Sequence, residues 1–540
     1  MSRLAVVAAV ALGALLRAHP VQQPLVHGEL QQALARHALL ALARHDWRPA
    51  QLHHGSGFLY ALRTFYTAWY ACGRLRGAYH DRVDMLAAFA GDPFPFVVGA
   101  RLLVLLYAVA ALALTGVIGT RLGGRHAGAA ATLFLAVTFV DVRGAHQVWH
   151  DVPASALILA TVTAALAALD RRTIAALVTT GALAGAAVAT KHSVFLVVLP
   201  ATLAAVLARD RTLGRRLLVT GIAAVGAYAL LSPYTFLRFH DTLVALHIQS
   251  LVMHQPRPPG AQPLAVLVRC GLGWTAPGLA LIGLAAALRR TPVAAAVVAA
   301  FPVAYALVLG TSTTLYLRYL VPLAPFVALF ASVGASALAR LALPRRAGLA
   351  LFAVLLAAAA GPLRQSTTYN LLLARPDTRV LAGAWIRAHV PPGSGLVLPD
   401  LVGYPNPVLP LTDLQLHLAY GEFAAPLLQR GLAQSARLYQ VSYVKPPFGP
   451  PPPDFQPRGR FVVAAYHPIV LPDTNMPPDY LRTLEALGAH PVARFPGFAE
   501  PLPARAVFEP IDADYVPITG SDAIERPGPE LTIWELPATP

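Results

Sequence analysis

The placement of arginines against apolar runs constrains this chain most. About eleven apolar stretches are separated by short Arg-rich loops on alternate sides. A bilayer core of ~30 Å needs roughly 20 apolar residues per helix. The chain repeats that unit from near Met1 to about Leu363, the pattern of a polytopic membrane protein. Composition agrees, because 56% hydrophobic and 13% charged residues lie outside the usual range of soluble chains.

The formal charge of +16 comes almost wholly from arginine. The arginines form no basic domain with interleaved aromatics but recur at helix ends, where they set orientation and meet anionic lipid headgroups. Nucleic acid is therefore excluded as a partner, and membrane lipid takes its place. Two cysteines, Cys72 and Cys270, offer neither a disulfide scaffold nor a cysteine metal site.

The first run, Leu4 to Leu16, follows Arg3 and lacks a small-residue cleavage site, so it reads as a retained signal anchor. Further spans are expected near 96–119, 127–141, 153–169, 173–190, 193–208, 217–233, 264–288, 292–310, 320–339 and 347–363. This threading puts Arg121/Arg125, Arg171/Arg172, Arg209/Arg211/Arg215/Arg216, Arg289/Arg290 and Arg340/Arg345/Arg346 on the cytoplasmic side. The short loops opposite carry only Arg143, Lys191, Arg238, Arg257 and Arg318, as the positive-inside rule requires. Residues 55–75 are apolar enough to count as a span, but that would reverse every later loop. With Arg63, Arg74 and Arg76 beside Tyr60, Tyr66, Trp69 and Tyr70, they read as an interfacial helix. The expected organisation is a transmembrane domain over 1–363 with a large first external loop (20–95), then an external domain over 364–540. In the latter, Thr378–His389 reads as an amphipathic helix, Gly393–Leu398 as a turn feeding a strand, and Leu531–Leu536 as a closing strand of a small α/β fold. The Pro-rich stretch 445–459 reads as a polyproline-like linker or loop.

A carboxylate, histidine or cation beside a membrane is costly unless paired or solvated, so external polar residues are candidates for function. Three groups qualify: His27-Gly28-Glu29 with Asp46-Trp47-Arg48-Pro49 and His53-His54; Arg143 through His146, Trp149, His150 and Asp151 to Pro153; and the cations Arg101, Lys191, Arg238 and Arg318 with Tyr316 and Tyr319. Carboxylates and cations at one interface suit transfer between a hydroxyl and a phosphate leaving group: a carboxylate takes the attacking hydroxyl's proton, and cations neutralise the departing phosphate. The bland readings are an N-cap for Asp151, a helix-start charge for Glu29 and snorkelling for Arg101, Lys191 and Arg318.

Several motifs then occur in an order that resembles the GT-C glycosyltransferases using polyprenyl-phosphate sugars, which include protein O-mannosyltransferases and aminoarabinose transferases. The first loop runs through Asp46-Trp47-Arg48-Pro49 to Gly55-Ser56-Gly57-Phe58-Leu59-Tyr60, and Arg101 opens the second span. His146 to Pro153, Ala189-Thr190-Lys191-His192 and Arg318-Tyr319 through Pro322 to Pro325 follow on the same side. The resemblance implies an all-α, GT-C-like membrane fold of about eleven helices with an external α/β domain, in a bacterial-type inner membrane. It also implies inverting transfer of a sugar from a polyprenyl-phosphate donor to a lipid, glycan or protein acceptor at the external face. Glu29 and Asp151 would be the catalytic carboxylates, and Arg101, Lys191, Arg318 and Tyr319 would bind the donor phosphate. His146 and His150 are candidates to contact substrate, or to join Glu29 or Asp151 around a divalent metal. The chain departs from the family at Gly28-Glu29, where the family usually has Asp-Glu or Asp-Asp with the aspartate as base. A transporter or flippase, or a non-catalytic relative that binds the lipid-linked sugar, are the competing readings.

Overall fold

The computed structural model describes residues 3–19, 28–208, 212–254, 262–342, 344–399, 419–432, 439–444, 459–470, 475–499, 501–509 and 515–537. Helices form wherever the sequence carries long apolar runs. They are α1 (Arg3–Ala18), α2 (Gly28–Ala43), α3 (Gly57–Leu75), α4 (Arg82–Gly91), α5 (Phe94–Gly123), α6 (Arg125–Val137), α7 (Phe139–Ala145), α8 (Asp151–Arg171) and α9 (Ile174–Thr190). After a 3-10 turn, His192–Val197, come α10 (Val198–Leu207), α11 (Leu213–Leu231), α12 (Tyr234–Leu237), α13 (Phe239–His254), α14 (Leu264–Leu272), α15 (Thr275–Arg290) and α16 (Pro292–Thr311). A second 3-10 turn, Leu317–Leu320, leads to α17 (Ala324–Ala342), α18 (Ala347–Leu373) and α19 (Thr378–His389).

Among the described residues, six helices are long and apolar enough to cross a membrane, or up to eight if each of two bent pairs counts as one span. The expected interfacial helix α3 is not among them. The bent pairs are α6 with α7, at 61°, and α14 with α15, at 89°. Four shorter apolar helices, including α1 and α9, accompany them. Where helices cross closely, glycines make it possible. A Cβ on Gly283 of α15 would stand 1.7 Å from the Phe330 carbonyl of α17, and one on Gly334 would stand 2.1 Å from the Leu279 carbonyl.

The chain divides into two compact units. The first comprises Met1–Val21, Asp46–Phe65 and Val98–Thr367; the second comprises Gln22–His45, Tyr66–Val97 and Thr368–Pro540. Within the first, Arg17 closes the bend between α6 and α7. It donates to the Leu135 and Ala136 carbonyls at 2.8 and 2.9 Å and pairs with Asp141 at 2.6 Å. Backbone groups freed by a break in a buried helix need such partners.

The second unit holds a five-stranded sheet, order β2-β1-β3-β5-β4, built from β1 (Gly395–Pro399), β2 (Gln440–Val444), β3 (Phe461–Tyr466), β4 (His490–Phe495) and β5 (Glu530–Glu535). β1 is parallel to β2 and β3, while β5 is antiparallel to β3 and β4. Side chains alternate between faces of a strand. Leu396, Leu398, Val463 and Ile533 therefore meet Ile386 of α19 on one face, and Val397, Val462 and Trp534 meet Tyr480 and Leu484 of the helix Pro478–Ala486 on the other. The expected helix at 378–389 is present, and the strands expected within Gly393–Leu398 and over Leu531–Leu536 are seen as β1, Gly395–Pro399, and β5, Glu530–Glu535. The linker expected over 445–459 falls, apart from Gly459, outside the described residues. Two segments of the first loop are joined to the C-terminal segment by ion pairs: Arg44 with Glu422, and Arg430 with Asp81 and Asp84 at 2.7 and 2.9 Å.

Candidate functional site

Three segments meet in the first unit around a buried ion pair. Asp151 begins α8, and Lys191 caps the end of α9, where the 3-10 turn at His192 interrupts helical bonding. The Lys191 ammonium donates to Asp151 Oδ1, and the two residues are only 2% and 3% exposed. A pair this dry persists because each charge neutralises the other, since desolvating either alone costs several kcal/mol. Asp151 Oδ2 is buried without a hydrogen-bond partner, so one carboxylate oxygen stays available as an acceptor.

Aromatic rings surround the cations. Lys191 Nζ stands 5.1 Å from the centre of the Tyr319 ring. The half-buried Arg318 guanidinium lies 4.4, 5.2 and 5.9 Å from the ring centres of Tyr316, Trp149 and Tyr319. The negative faces of these rings attract the cation and help to hold it in place. Tyr305 of α16 is buried beside Asp151 and Tyr319.

A histidine and aromatic wall adjoins this group. The His54 ring lies tilted 4.2 Å from His53 and 4.7 Å from His150 and edge-on 5.6 Å from Trp149, and Phe58 meets His150 at 5.7 Å. Burial and then Lys191 push the His150 pKa down to about 3, with His53, Arg318 and His192 adding to the effect. Burial, followed by His150 and His53, holds His54 well below the ordinary histidine range. Both rings are thus neutral near pH 7. Their loop is seated by glycine: a Cβ on Gly55 would stand 1.9 Å from the Ala189 carbonyl, so the Gly55-Ser56-Gly57 run lies directly on the end of α9. Ser56 N donates to Ser232 Oγ at 3.2 Å and fixes the same turn from the other side.

Of the residues singled out in the sequence, the structure brings together Asp151, Lys191, Arg318, Tyr319 and His150. Arg101 is buried in α5, and His146 is buried just past α7, both in the same unit. Glu29 falls in the first turn of α2, in the second unit, and its side chain lies outside the described residues. His27 lies outside them altogether. Trp149, His53 and His54, candidates by their place beside the membrane, join the group as well, and Tyr305 joins it although sequence reasoning gave it no role. Tyr305 is hidden inside an apolar run. Among the described residues no three His, Cys, Asp or Glu side chains come together as a metal set.

Residues 94–236 match the family model described as dolichyl-phosphate-mannose-protein mannosyltransferase. No curated protein matches the sequence. Among solved structures, ArnT from Cupriavidus metallidurans bound to undecaprenyl phosphate aligns over 98% of this chain and 97% of its own, at 15% identity and a TM-score of 0.51. Its apo form aligns over 91% and 95%, at 16% identity and the same TM-score of 0.51. The oligosaccharyltransferase AglB from Archaeoglobus fulgidus, in complex with an inhibitory peptide and a dolichol-phosphate, aligns over 81% of this chain at 12% identity and a TM-score of 0.48. This chain spans 64% of the length of AglB. The likeness to ArnT establishes a shared fold.

Proposed function

Because this chain is a membrane protein with the GT-C superfamily fold, we propose that it is a glycosyltransferase that moves a sugar from a polyprenyl-phosphate carrier to an acceptor nucleophile. The observation that carries this reading is the Asp151–Lys191 pair beside an Arg318 held among three aromatic rings. Such a group suits a phosphate whose charge grows as the sugar leaves: two cations are fixed in advance, and the surroundings are dry enough to strengthen them. The ArnT structure, which matches this chain over nearly all its length, is itself bound to undecaprenyl phosphate.

In the proposed reaction an acceptor hydroxyl oxygen attacks the anomeric carbon and the bond from that carbon to the phosphate oxygen breaks. The hydroxyl proton passes to a carboxylate, the polyprenyl phosphate departs with the bonding electrons, and the configuration inverts. Lys191 and Arg318 bind the departing phosphate, with Tyr319 seating both cations and Arg101 a further candidate. Asp151, tied to Lys191, suits holding that ammonium better than accepting a proton. The base role goes to Glu29, the chain's one carboxylate before Asp46. We place the reaction at the external face of a bacterial-type inner membrane, with a bundle of eleven spans and the sheet-bearing C-terminal segment outside, following the arginine asymmetry of the loops.

The test is sugar release by the purified protein from a panel of undecaprenyl-phosphate sugars, with membrane extract as acceptor source, alongside Glu29→Gln and Asp151→Asn. Release that falls ~100-fold or more in Glu29→Gln, as expected on loss of a general base, supports the assignment. Vesicle-to-vesicle lipid movement without release would favour a flippase and overturn it.

A further inference from the structure

Four buried polar atoms without a hydrogen-bond partner lie within seven residues at the head of α8: Trp149 Nε1, His150 Nδ1, Asp151 Oδ2 and Ser155 Oγ. Folded proteins leave few such atoms, so a concentration of them needs a cause. The transfer reaction described above gives Ser155 no part.

Ser155 departs from its neighbours. A hydroxyl inside a helix commonly bonds back to the carbonyl four residues earlier. Thr161 and Thr163 of α8 and Thr179, Thr180 and Thr190 of α9 all do so, at 2.8 to 2.9 Å. Ser155 Oγ makes no such bond, although the residue is only 1% exposed and solvent does not reach it.

Ser155 stands one turn after Asp151, and side chains four apart on a helix share a face, with Cβ atoms about 5–6 Å apart. Helical side chains lean toward the start of their helix, so Ser155 leans toward the Asp151 carboxylate. Lys191 occupies Asp151 Oδ1. Asp151 Oδ2 and Ser155 Oγ are left as an acceptor and a donor on one face. Together they complement a single hydroxyl, which gives its proton to the carboxylate and accepts one from the serine. They do not suit a phosphate oxygen, which the carboxylate repels and which Lys191 and Arg318 attract.

Resting on the transferase reading, we propose that Ser155 and Asp151 Oδ2 bind a ring hydroxyl of the donor sugar, while Lys191 and Arg318 hold its phosphate. Ser155 is then a residue that determines which sugar is accepted, because a sugar lacking that hydroxyl leaves both buried groups unpaired.

Saturation binding to the purified full chain in nanodiscs tests this with two ligands: bare undecaprenyl phosphate, and the member of a panel of undecaprenyl-phosphate sugars that the wild type binds most tightly. The wild type should bind the sugar-loaded carrier more tightly than the bare one. Ser155→Ala should weaken the loaded carrier ~5-fold or more and leave the affinity for the bare carrier at the wild-type value, whereas Lys191→Met should weaken both. Size exclusion checks the fold, and Ser155→Cys, close to serine in size, replaces Ser155→Ala should the latter not fold, with the same pattern expected. Loaded-carrier affinity unchanged in the folded variant would mean that the hydroxyl holds only water, and equal weakening of both ligands would mark a structural role. Either result, or a wild type that binds the two ligands equally, would overturn the proposal and leave the transferase reading standing. A wild type that binds neither ligand would overturn both.

Discussion

At the residue scale the buried charges dominate. Lys191→Met leaves Asp151 as an unpaired carboxylate in a dry site, and breaking a pair of this kind costs about 3–5 kcal/mol. The double variant Lys191→Met/Asp151→Leu removes both charges and should recover most of that loss. Chemical denaturation in a fixed detergent gives the comparison, and a double variant no more stable than the single would contradict the pairing. The neutral histidines give a pH signature. Because the His150 pKa is depressed to about 3 in the fold, the unfolded chain binds the extra proton between about 3 and the ordinary 6.5. Its contribution to stability is therefore complete above 6.5 and lost as pH falls toward 3, by up to ~1.4 kcal/mol per pH unit. Unfolding followed at pH 7 and pH 5 should show this slope, and His150→Phe, which keeps a ring against Phe58 and His54, should reduce it by one group's share, the other depressed histidines such as His54 keeping the rest. The same group shows what sequence can carry at this scale. Asp151, Lys191, Arg318 and Tyr319 are legible because a charged or aromatic residue beside an apolar run stands out against it. Tyr305 is not, being one aromatic among aliphatics of a span. Nor is Trp149 as the ring under Arg318, since the two are linked only through the fold.

At the scale of elements, helix positions follow closely from the apolar runs, because a run of that length has no other way to satisfy its backbone in lipid. The breaks do not follow. α6 and α7 part at Thr138 with neither proline nor glycine at the junction, and the carbonyls freed there are taken up by Arg17, more than 110 residues earlier. The break between α14 and α15 has a local cause, Gly273 at φ +73°, a conformation glycine adopts without strain. Arg17→Met should accordingly be more damaging than its position in the first apolar run suggests. It strands Asp141 and removes donors from two carbonyls, a loss of about 3 kcal/mol or more. Hydrogen exchange should then rise in residues 134–145 above the rest of the helices. Uniform protection there would mean the bend does not depend on Arg17.

At the scale of the whole molecule, two compact units share one chain, and residues 22–45 and 66–97 cluster with the C-terminal segment. Length, composition and charge asymmetry announce the membrane part. They are silent on that clustering, because pairs such as Arg430 with Asp81 join positions 349 residues apart with no shared motif. The account rests on the claim that Lys191 and Arg318 meet the phosphate of a lipid-linked donor. Saturation binding of undecaprenyl phosphate to the protein in nanodiscs, compared among wild type, Lys191→Met and Arg318→Met, measures that directly, with folded fraction checked by size exclusion. Saturable wild-type binding that weakens ~10-fold or more in each folded variant is the predicted result, and binding unchanged in both would contradict the account.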